Sequence, residues 1–488
     1  MESNDMQKKC MKFNVVRLSP KVKVRQEHFG GLIFNMDTGD VIDIDREAFI
    51  VISMIRDIQV VDVNALLNMP ITYKGKPIDS ESIKGVLQKF ADIGIIDVMP
   101  NGVLSEDYKR LLEEKSRIEL RWPEYQHLSA PETIHWAVTY RCEEACLDCY
   151  IQRHKGSCTN ELDTQEAYKL ISKIAESGAF QLAIGGGEPF VRNDLEEIVQ
   201  RASEEGLIVH ITTGKYRIEL ERLDELAGHI KVLQVGIKVD ELIKGDTNSV
   251  QKLRTLVGQL SERGIMTGAN LIMTRSSIHN LYKIIEMLLQ CGFNRYTLLR
   301  YKPPINIGRW LVEKPDKGDI ELLEARLAGI NDKYTDISIR IDCALSFVER
   351  KLDPQVALFS GVRGCAAFQR IMFVAPDGSV YPCSQLVGDR FNGCNLLKEE
   401  FGTIWDKSDV VKNYRYFRSN KSFKEGSCGK CKAKVFCGGC RVFADDAIGS
   451  DPGCPEYVEE TKGWLEANNK DYPSWIYKWR VLNEDNKY

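Results

Sequence analysis

Nine residues constrain this chain more than any others: Cys142 to Tyr150, reading CEEACLDCY. They follow a short apolar run, Ile134 to Val138, that predicts a strand, and they precede a helix whose start is signalled by Asp163 and Thr164. A fold built around them must present Cys142, Cys146 and Cys149 together on one tight loop. Three thiols so placed can hold three irons of a cubic 4Fe-4S cluster and leave the fourth iron open. Short cysteine spacings also serve zinc knuckles, or simply bury thiols, and the loop by itself leaves these readings open.

A second motif stands further along the chain. Gln181 to Ile184 reads as a short buried strand running into Gly185, Gly186, Gly187, Glu188 and Pro189. Glycines allow close approach of backbone to a ligand, and a carboxylate beside them can hold an ammonium group. A Gly-rich turn is by itself a weak signal. Placed one βα unit after a CxxxCxxC loop, it resembles the radical S-adenosylmethionine superfamily. The resemblance implies that Cys142, Cys146 and Cys149 ligate a 4Fe-4S cluster whose open iron is chelated by S-adenosylmethionine. It implies that Gly185, Gly186, Gly187 and Glu188 meet the methionine amino group, and that the reduced cluster cleaves the cofactor to a 5'-deoxyadenosyl radical.

From Thr133 to about Thr335, short apolar strands alternate with amphipathic helices, at Leu182 to Ile184, Leu207 to Thr212, Val232 to Val239, Met266 to Thr274 and Arg295 to Leu299. Such alternation gives a parallel sheet with crossover helices. The resemblance implies an α/β fold, the partial (β/α)6 barrel of the superfamily, open on one side to a large substrate. Active groups of barrels lie at the carboxyl ends of strands, which nominates Thr212, Thr213, Lys238, Asp240, Asn270, Arg275 and Arg300; each can equally be a polar residue that merely ends a strand. Of these, Thr212, Asn270 and Arg275 are taken as cofactor contacts, with Tyr150. Two positions depart from the family pattern. Asp148 stands before the third cysteine, where an aromatic residue is usual, and Gly236 and Lys238 stand where Ser and Asp are common.

Cysteines become dense again after Ile337. Cys365 precedes PDGSVYPC, which ends at Cys383; CGKCKAKVFCGGC then supplies Cys428, Cys431, Cys437 and Cys440, and Cys454 follows. This order resembles the SPASM extension of radical enzymes, with two residues, Gly438 and Gly439, where three are usual before the last clustered cysteine. The resemblance implies two auxiliary 4Fe-4S clusters, the first on Cys365, Cys383 and Cys440, the second on Cys428, Cys431, Cys437 and Cys454. Cys343 is expected to complete the first; without it an open iron remains there for a substrate thiolate. Three clusters in all are therefore expected. A zinc ribbon is the competing reading of the CxxC pairs. Cys10, Cys158, Cys291 and Cys394 read as ordinary thiols.

Ahead of the barrel, alternation at Lys21 to Arg25, an apolar Gly31 to Phe34 and a DTGD turn before Val41 to Ile44 predict strands, followed by helices from Asp45, around Val60 to Leu67, and from Ser80. This pattern resembles the PqqD-like winged-helix element with which enzymes that modify ribosomally made peptides bind a leader segment as an added strand. The FGGLIFN stretch, Phe29 to Asn35, is similar to the start of peptide-crosslinking members. A DNA-binding winged helix or a structural cap are the alternatives, and the acidic run Asp37 to Asp45 argues against DNA. The expected divisions are a tail at 1–13, the winged-helix element at 14–107, a linker at 108–132, the radical barrel at 133–335, a SPASM domain at 336–460 and an aromatic tail at 461–488, where Trp464, Tyr472, Trp475, Tyr477 and Trp479 read as docking residues.

Composition closes off other classes. With 488 residues and a net charge of -4 the chain has no broad electrostatic grip on nucleic acid, and no apolar run approaches a membrane span. Fifteen cysteines without a secretion signal point to metal clusters in a reducing compartment, the cytoplasm. The resemblance as a whole implies a maturase of the sactipeptide, ranthipeptide or streptide type. Its partners are a precursor peptide and an external reductant such as flavodoxin or ferredoxin. A thioether crosslink is the first expectation, because an open auxiliary iron suits it; a carbon-carbon or carbon-oxygen crosslink is the second, favoured if Cys343 is a ligand. A sulfatase-maturing or small-molecule oxidoreductase is the alternative class, and a non-catalytic iron-sulfur protein the remaining one.

Overall fold

Strand β9 (Thr133–Thr139) organises the larger part of the chain, because both of its edges are hydrogen-bonded in parallel, one to β10 (Gln181–Gly186) and the other to β16 (Ile371–Val374). The structure is a computed structural model that describes residues 15–99, 107–116, 120–143, 146, 148–149, 151, 160–302, 307–349, 364–388, 392, 394–442, 451 and 454. Its chain divides into two compact units, Met1–Ser129 and Ala130–Tyr488. Among the described residues no helix is long and apolar enough to cross a membrane.

In the first unit, β1 (Val15–Leu18) pairs antiparallel with β5 (Val60–Asp62) and β8 (Ile96–Val98), while β2 (Val22–Glu27), β3 (Gly30–Asn35) and β4 (Val41–Asp45) form an antiparallel meander. A small hairpin joins β6 (Thr72–Tyr73) to β7 (Lys76–Pro77). Helices α1 (Arg46–Ile58), α2 (Val63–Leu67) and α3 (Ser80–Asp92) begin at Asp45, Asp62 and Asp79, whose carboxylates each accept a backbone N–H of the first turn. The glycines of FGGLIFN have a steric reason. A Cβ on Gly31 would stand 2.2 Å from the Phe49 ring of α1, so only glycine lets strand and helix meet there. Beyond α4 (Tyr108–Ser116), Trp122 packs edge-on to Phe49, and Ser129 donates its backbone N–H to the buried Glu27 at 2.8 Å. The stretch expected as a linker thus contributes Tyr108, Leu112 and Trp122 to this core.

The second unit carries the parallel run β9, β10, β11 (Ile208–Thr213), β12 (Ile230–Gly236), β13 (Met266–Met273), β14 (Arg295–Arg300) and β15 (Ser338–Ile341), in that spatial order. The six strands expected from apolar runs are all present. β15 is a seventh, beyond the expected end of the barrel at residue 335. Crossovers are made by α5 (Thr164–Glu176), α6 (Leu195–Glu204), α7 (Leu220–Leu226), α8 (Val239–Lys244), α9 (Thr247–Glu262), α10 (Arg275–His279), α11 (Leu281–Gln290), α12 (Ile307–Glu313) and α13 (Lys317–Lys333). Alternate strand residues, Trp136, Ile184, Ile211, Val235 and Leu271 among them, share the large core with helix residues such as Leu170, Ile198 and Leu256. On the far side of β9, β16 turns back through β17 (Ser379–Tyr381) to β18 (Cys394–Asn395), so the C-terminal segment continues the same sheet to ten strands.

The other face of the sheet is polar. His135, Ala183 and His210 lie in register across β9, β10 and β11. Burial pushes both histidines down to about 4; Asp342, just after β15, opposes this at His135, and Lys302, just after β14, adds to it. That a residue of β9 feels the charges at the far end of the run shows that the sheet curls on itself. The unfolded histidines take up protons below about 6.5, but the folded ones only near 4, so between these values the unfolded chain binds more protons and stability falls as pH falls. Replacing His135 and His210 by Gln is expected to flatten this acid loss, by an amount on the order of 2–3 kcal/mol per histidine, in urea midpoints measured from pH 7 to pH 4.

Candidate active site

The thiol loop is launched by a set of side chains that anchor the end of β9. Glu161 accepts the Thr139 hydroxyl at 2.6 Å, the Tyr140 N–H at 3.2 Å and Arg141 Nε at 3.2 Å. The buried Arg192 donates to the carbonyls of Val138 and Leu162 at 2.9 and 3.0 Å and is itself held by Asp194. Sequence reasoning passed over both Glu161 and Arg192, and no spacing signal marks them. Cys142, Cys146 and Cys149 are half-buried on the loop that follows, with the Cys149 N–H donating to the Cys146 carbonyl at 3.3 Å. Tyr150 lies outside the described residues.

Beside this loop the Gly-rich turn is fixed by close approach. The Gly187 N–H donates to Thr139 O at 2.8 Å and the Glu188 N–H to Arg141 O at 2.9 Å, one residue before Cys142. A Cβ on Gly186, whose φ is +117°, would lie 2.3 Å from Thr139 O, and one on Gly187 2.1 Å from Arg141 O, so neither tolerates a side chain. Gly185 has room, with the Thr212 side chain 4.0 Å away. Glu188 is buried. Its carboxylate accepts Thr213 Oγ1 at 2.9 Å, Gly214 N at 2.9 Å and Phe190 N at 3.2 Å. Burial raises its pKa above the ordinary carboxylate value against the pull of these donors.

The remaining strand-end residues divide. Thr212 is exposed beside Gly185, and Asn270 pairs with Gly236, its carbonyl accepting the Ile237 N–H. Lys238 donates its backbone N–H to the Tyr216 hydroxyl at 2.7 Å. Arg275 stands apart from the cofactor role assigned to it: its guanidinium is engaged by Asp316 at 2.8 Å and Asp319 at 3.0 Å, at the start of α13. Arg300 is buried with Asp451 at 2.6 and 3.0 Å.

The C-terminal cysteines, Cys343, Cys365, Cys383, Cys428, Cys431, Cys437, Cys440 and Cys454, lie on the segments that follow β15. Cys343, two residues after β15, lies near enough to Cys365 and Cys440 for their charge to raise its pKa, as does Cys383 to Cys365 and Cys437 to Cys428 and Cys431. Cys454 is tied by its N–H to the Asp451 carbonyl, and Asp451 in turn donates its N–H to Cys428 Sγ at 3.3 Å while its carboxylate accepts the Cys440 N–H at 2.8 Å. Burial pushes Cys383 up to about 11, and Cys437 and Cys440 up to about 12. Such thiols stay neutral at working pH unless a metal takes up the thiolate charge. Among the described residues no three His, Cys, Asp or Glu side chains are close enough to hold a single metal ion, whereas a four-iron cluster spreads its thiolates more widely than one ion does. Lys302 lies near three of these thiols; burial works against its charge, but Asp342 and the thiols of Cys440, Cys343 and Cys383 raise it above its ordinary value. Of the four thiols read as ordinary, Cys291 is buried beneath α9 and Cys394 lies in β18, while Cys10, Cys158 and the C-terminal aromatics fall outside the described residues.

A model of the radical SAM superfamily matches residues 136–274, the span from β9 through the thiol loop and Glu188 to β13, and a model of an iron-sulfur cluster-binding domain, SPASM, matches residues 365–432. The chain carries a radical SAM domain and a SPASM domain. It is an enzyme of that class, and S-adenosylmethionine and iron-sulfur clusters are the cofactors these domains imply. It is similar to an AdoMet-dependent heme synthase of Nitratidesulfovibrio vulgaris, 24% identical over 66% of this chain and 91% of the relative. It is similar also to a PqqA peptide cyclase of Bradyrhizobium diazoefficiens, 25% identical over 66% and 86%, and to the mycofactocin maturase MftC of Mycolicibacterium smegmatis, 26% identical over 67% and 84%. Among solved structures, Streptococcus suis SuiB bound to S-adenosylmethionine shares the fold, with a TM-score of 0.63 at 16% identity over 90% of this chain and 99% of that one; SuiB bound to its precursor peptide SuiA gives 0.61 at 15%, with the same coverage.

Both oxygens of Glu188 receive a backbone N–H, from Phe190 and Gly214, so either orientation of a glutamine amide would set a donor against a donor. Glu188→Gln is therefore expected to destabilise the barrel by about 1–3 kcal/mol and to weaken S-adenosylmethionine binding, read by urea midpoint and equilibrium dialysis.

Proposed function

We propose that this enzyme installs an intramolecular crosslink in a ribosomally made precursor peptide. What carries the reading is the pairing of a three-cysteine loop with a buried Glu188 one strand away, on a chain whose similar proteins include a peptide cyclase, a peptide maturase and SuiB, solved with a precursor peptide. Cys142, Cys146 and Cys149 would hold one 4Fe-4S cluster, and Gly185, Gly186, Gly187, Glu188, Thr212 and Asn270 line the place for S-adenosylmethionine. When bound, that pair supplies a radical able to take hydrogen from an unactivated carbon. The protein's own part is to bind the peptide, orient it across the open side of the barrel and keep water from the site.

Two further clusters are assigned to the C-terminal cysteines, one on Cys343, Cys365, Cys383 and Cys440 and one on Cys428, Cys431, Cys437 and Cys454. The nearness of Cys343 to Cys365 and Cys440, close enough for their charge to raise its pKa, supports a fully ligated first cluster. A filled cluster leaves no iron for a substrate thiolate, and this favours a carbon-carbon or carbon-oxygen crosslink over the thioether expected first. The first unit, with its two antiparallel sheets, is assigned to leader binding, an external flavodoxin or ferredoxin to electron supply, and the cytoplasm to its place of work.

Replacing Cys142, Cys146 and Cys149 together by Ala is expected to abolish 5'-deoxyadenosine formation while leaving about eight irons per chain; retained cleavage would overturn the assignment. Anaerobic incubation of the enzyme with S-adenosylmethionine, a reductant and a candidate precursor peptide is expected to remove two hydrogens per crosslink in a mass spectrum. An unchanged peptide, with cofactor still consumed, would count against crosslinking. Removing Met1 to Ser129 is expected to weaken peptide binding at least tenfold and to spare uncoupled cofactor cleavage, since β-strand addition is where such affinity resides.

A further inference from the structure

Asp148 lies between Cys146 and Cys149, and nothing in the proposed reaction uses it. Its carboxylate is held from the opposite side of the barrel mouth. Tyr301, directly after β14, donates its hydroxyl to Asp148 Oδ1 at 2.5 Å. Arg309, on α12, donates Nε to the same oxygen at 2.9 Å and a terminal nitrogen to Oδ2 at 3.4 Å. That terminal nitrogen also reaches Asp240 Oδ2, on α8, at 2.5 Å. One guanidinium therefore joins the loop after β9 and the segment after β12 to the helix after β14. The support behind it is firm: Tyr301 is buried, and its carbonyl accepts Trp310 Nε1 at 3.2 Å. Burial first, then Asp148, push the Tyr301 phenol up, so it stays a donor throughout the working pH range. The Arg309 and Asp148 side chains are only 24% and 22% exposed, which shields their pairing from salt more than an exposed surface pair would be.

We propose that Asp148, Tyr301 and Arg309 are positioning residues, a latch that turns the thiol loop into the orientation S-adenosylmethionine needs at the open iron. The proposal rests on the reading that Cys142, Cys146 and Cys149 hold that cluster. It accounts for the departure at Asp148: a carboxylate stands there because a hydroxyl and a guanidinium converge on it, and an aromatic ring would leave the Arg309 charge without this partner. Charge-assisted hydrogen bonds of this kind are short, strong and directional, which is what fixing a loop by a single side chain requires.

The test compares the full-length reconstituted protein with its Asp148→Asn, Asp148→Glu and Tyr301→Phe variants. Three quantities are read: iron content, the dissociation constant for S-adenosylmethionine, and the change this cofactor causes in the electron paramagnetic resonance spectrum of the reduced protein. Asp148→Asn is expected to keep about twelve irons. It should bind S-adenosylmethionine about tenfold or more weakly, the loss that one charge-assisted hydrogen bond implies, with a diminished spectral change. Asp148→Glu restores most of both. Should Asp148→Asn lose iron, Tyr301→Phe carries the test, since it alters the latch from outside the loop and is expected to weaken binding in the same direction. Wild-type affinity and an unaltered spectral change in the iron-replete variants would overturn the latch while leaving the cluster reading intact. A wild-type protein that shows no spectral change with S-adenosylmethionine would overturn the cluster reading, and the latch with it.

Discussion

An open parallel sheet leaves unpaired backbone on the strand at each of its edges, and the edge strand that leads into the thiol loop has the most to lose. Here that strand is β9, and the problem is answered by β16, which adds in parallel along it from Ile371 to Val374. Buried N–H and C=O groups must be paired, and the pairing fixes more than stability. β9 ends in the thiol loop, and β16 leads through β17 to Cys383. One set of backbone hydrogen bonds thus sets the places of the thiol loop and of Cys383. The buried Arg192, clamped on the carbonyls of Val138 and Leu162, and Glu161, collecting the donors of Thr139, Tyr140 and Arg141, hold the far end of the same strand.

The charges around the C-terminal cysteines follow a common pattern. Lys302 faces Cys343, Cys383 and Cys440; Arg300 faces Cys440 and Cys454; Arg418 faces Cys365 and Cys437. All are deeply placed, and only Asp342 and Asp451 among the carboxylates named here stand with them. Buried cations beside thiolates stabilise the more negative state of a cluster, and net charge together with hydrogen bonds to sulfur is what sets its potential. The Asp451 N–H, on Cys428 Sγ, is one such bond.

Where the chemistry demands identical atoms at fixed spacing, the chain could be read directly. The thiol loop and the Gly-rich turn with Glu188, which mark the radical SAM domain, and the C-terminal cysteine run, which marks the SPASM domain, are of this kind. So are the helices begun by Asp45, Asp79 and Asp163, because a cap is a local signal. The pairings of β1 with β5 and β8 were not legible, since three- and four-residue strands take their stability from neighbours remote in sequence. β15 and β16 escaped for the same reason. Arg275 shows the limit from the other side. Its position at a strand end was read correctly, but the partners that claim its guanidinium, Asp316 and Asp319, come from a helix forty residues on and leave no mark on the pattern around it. Glu161, Arg192, Tyr301 and Arg309 act through contacts with residues remote in sequence and were equally invisible.

Arg300 closes the last long strand of the barrel with a charge buried to 8% exposure, and the carboxylate that neutralises it belongs to Asp451, 151 residues later. A guanidinium without that partner stays with water. A chain that lacked the Asp451 segment would strand a buried cation at the end of β14 and, at one stroke, remove the partners of Cys428 Sγ and of the Cys440 N–H.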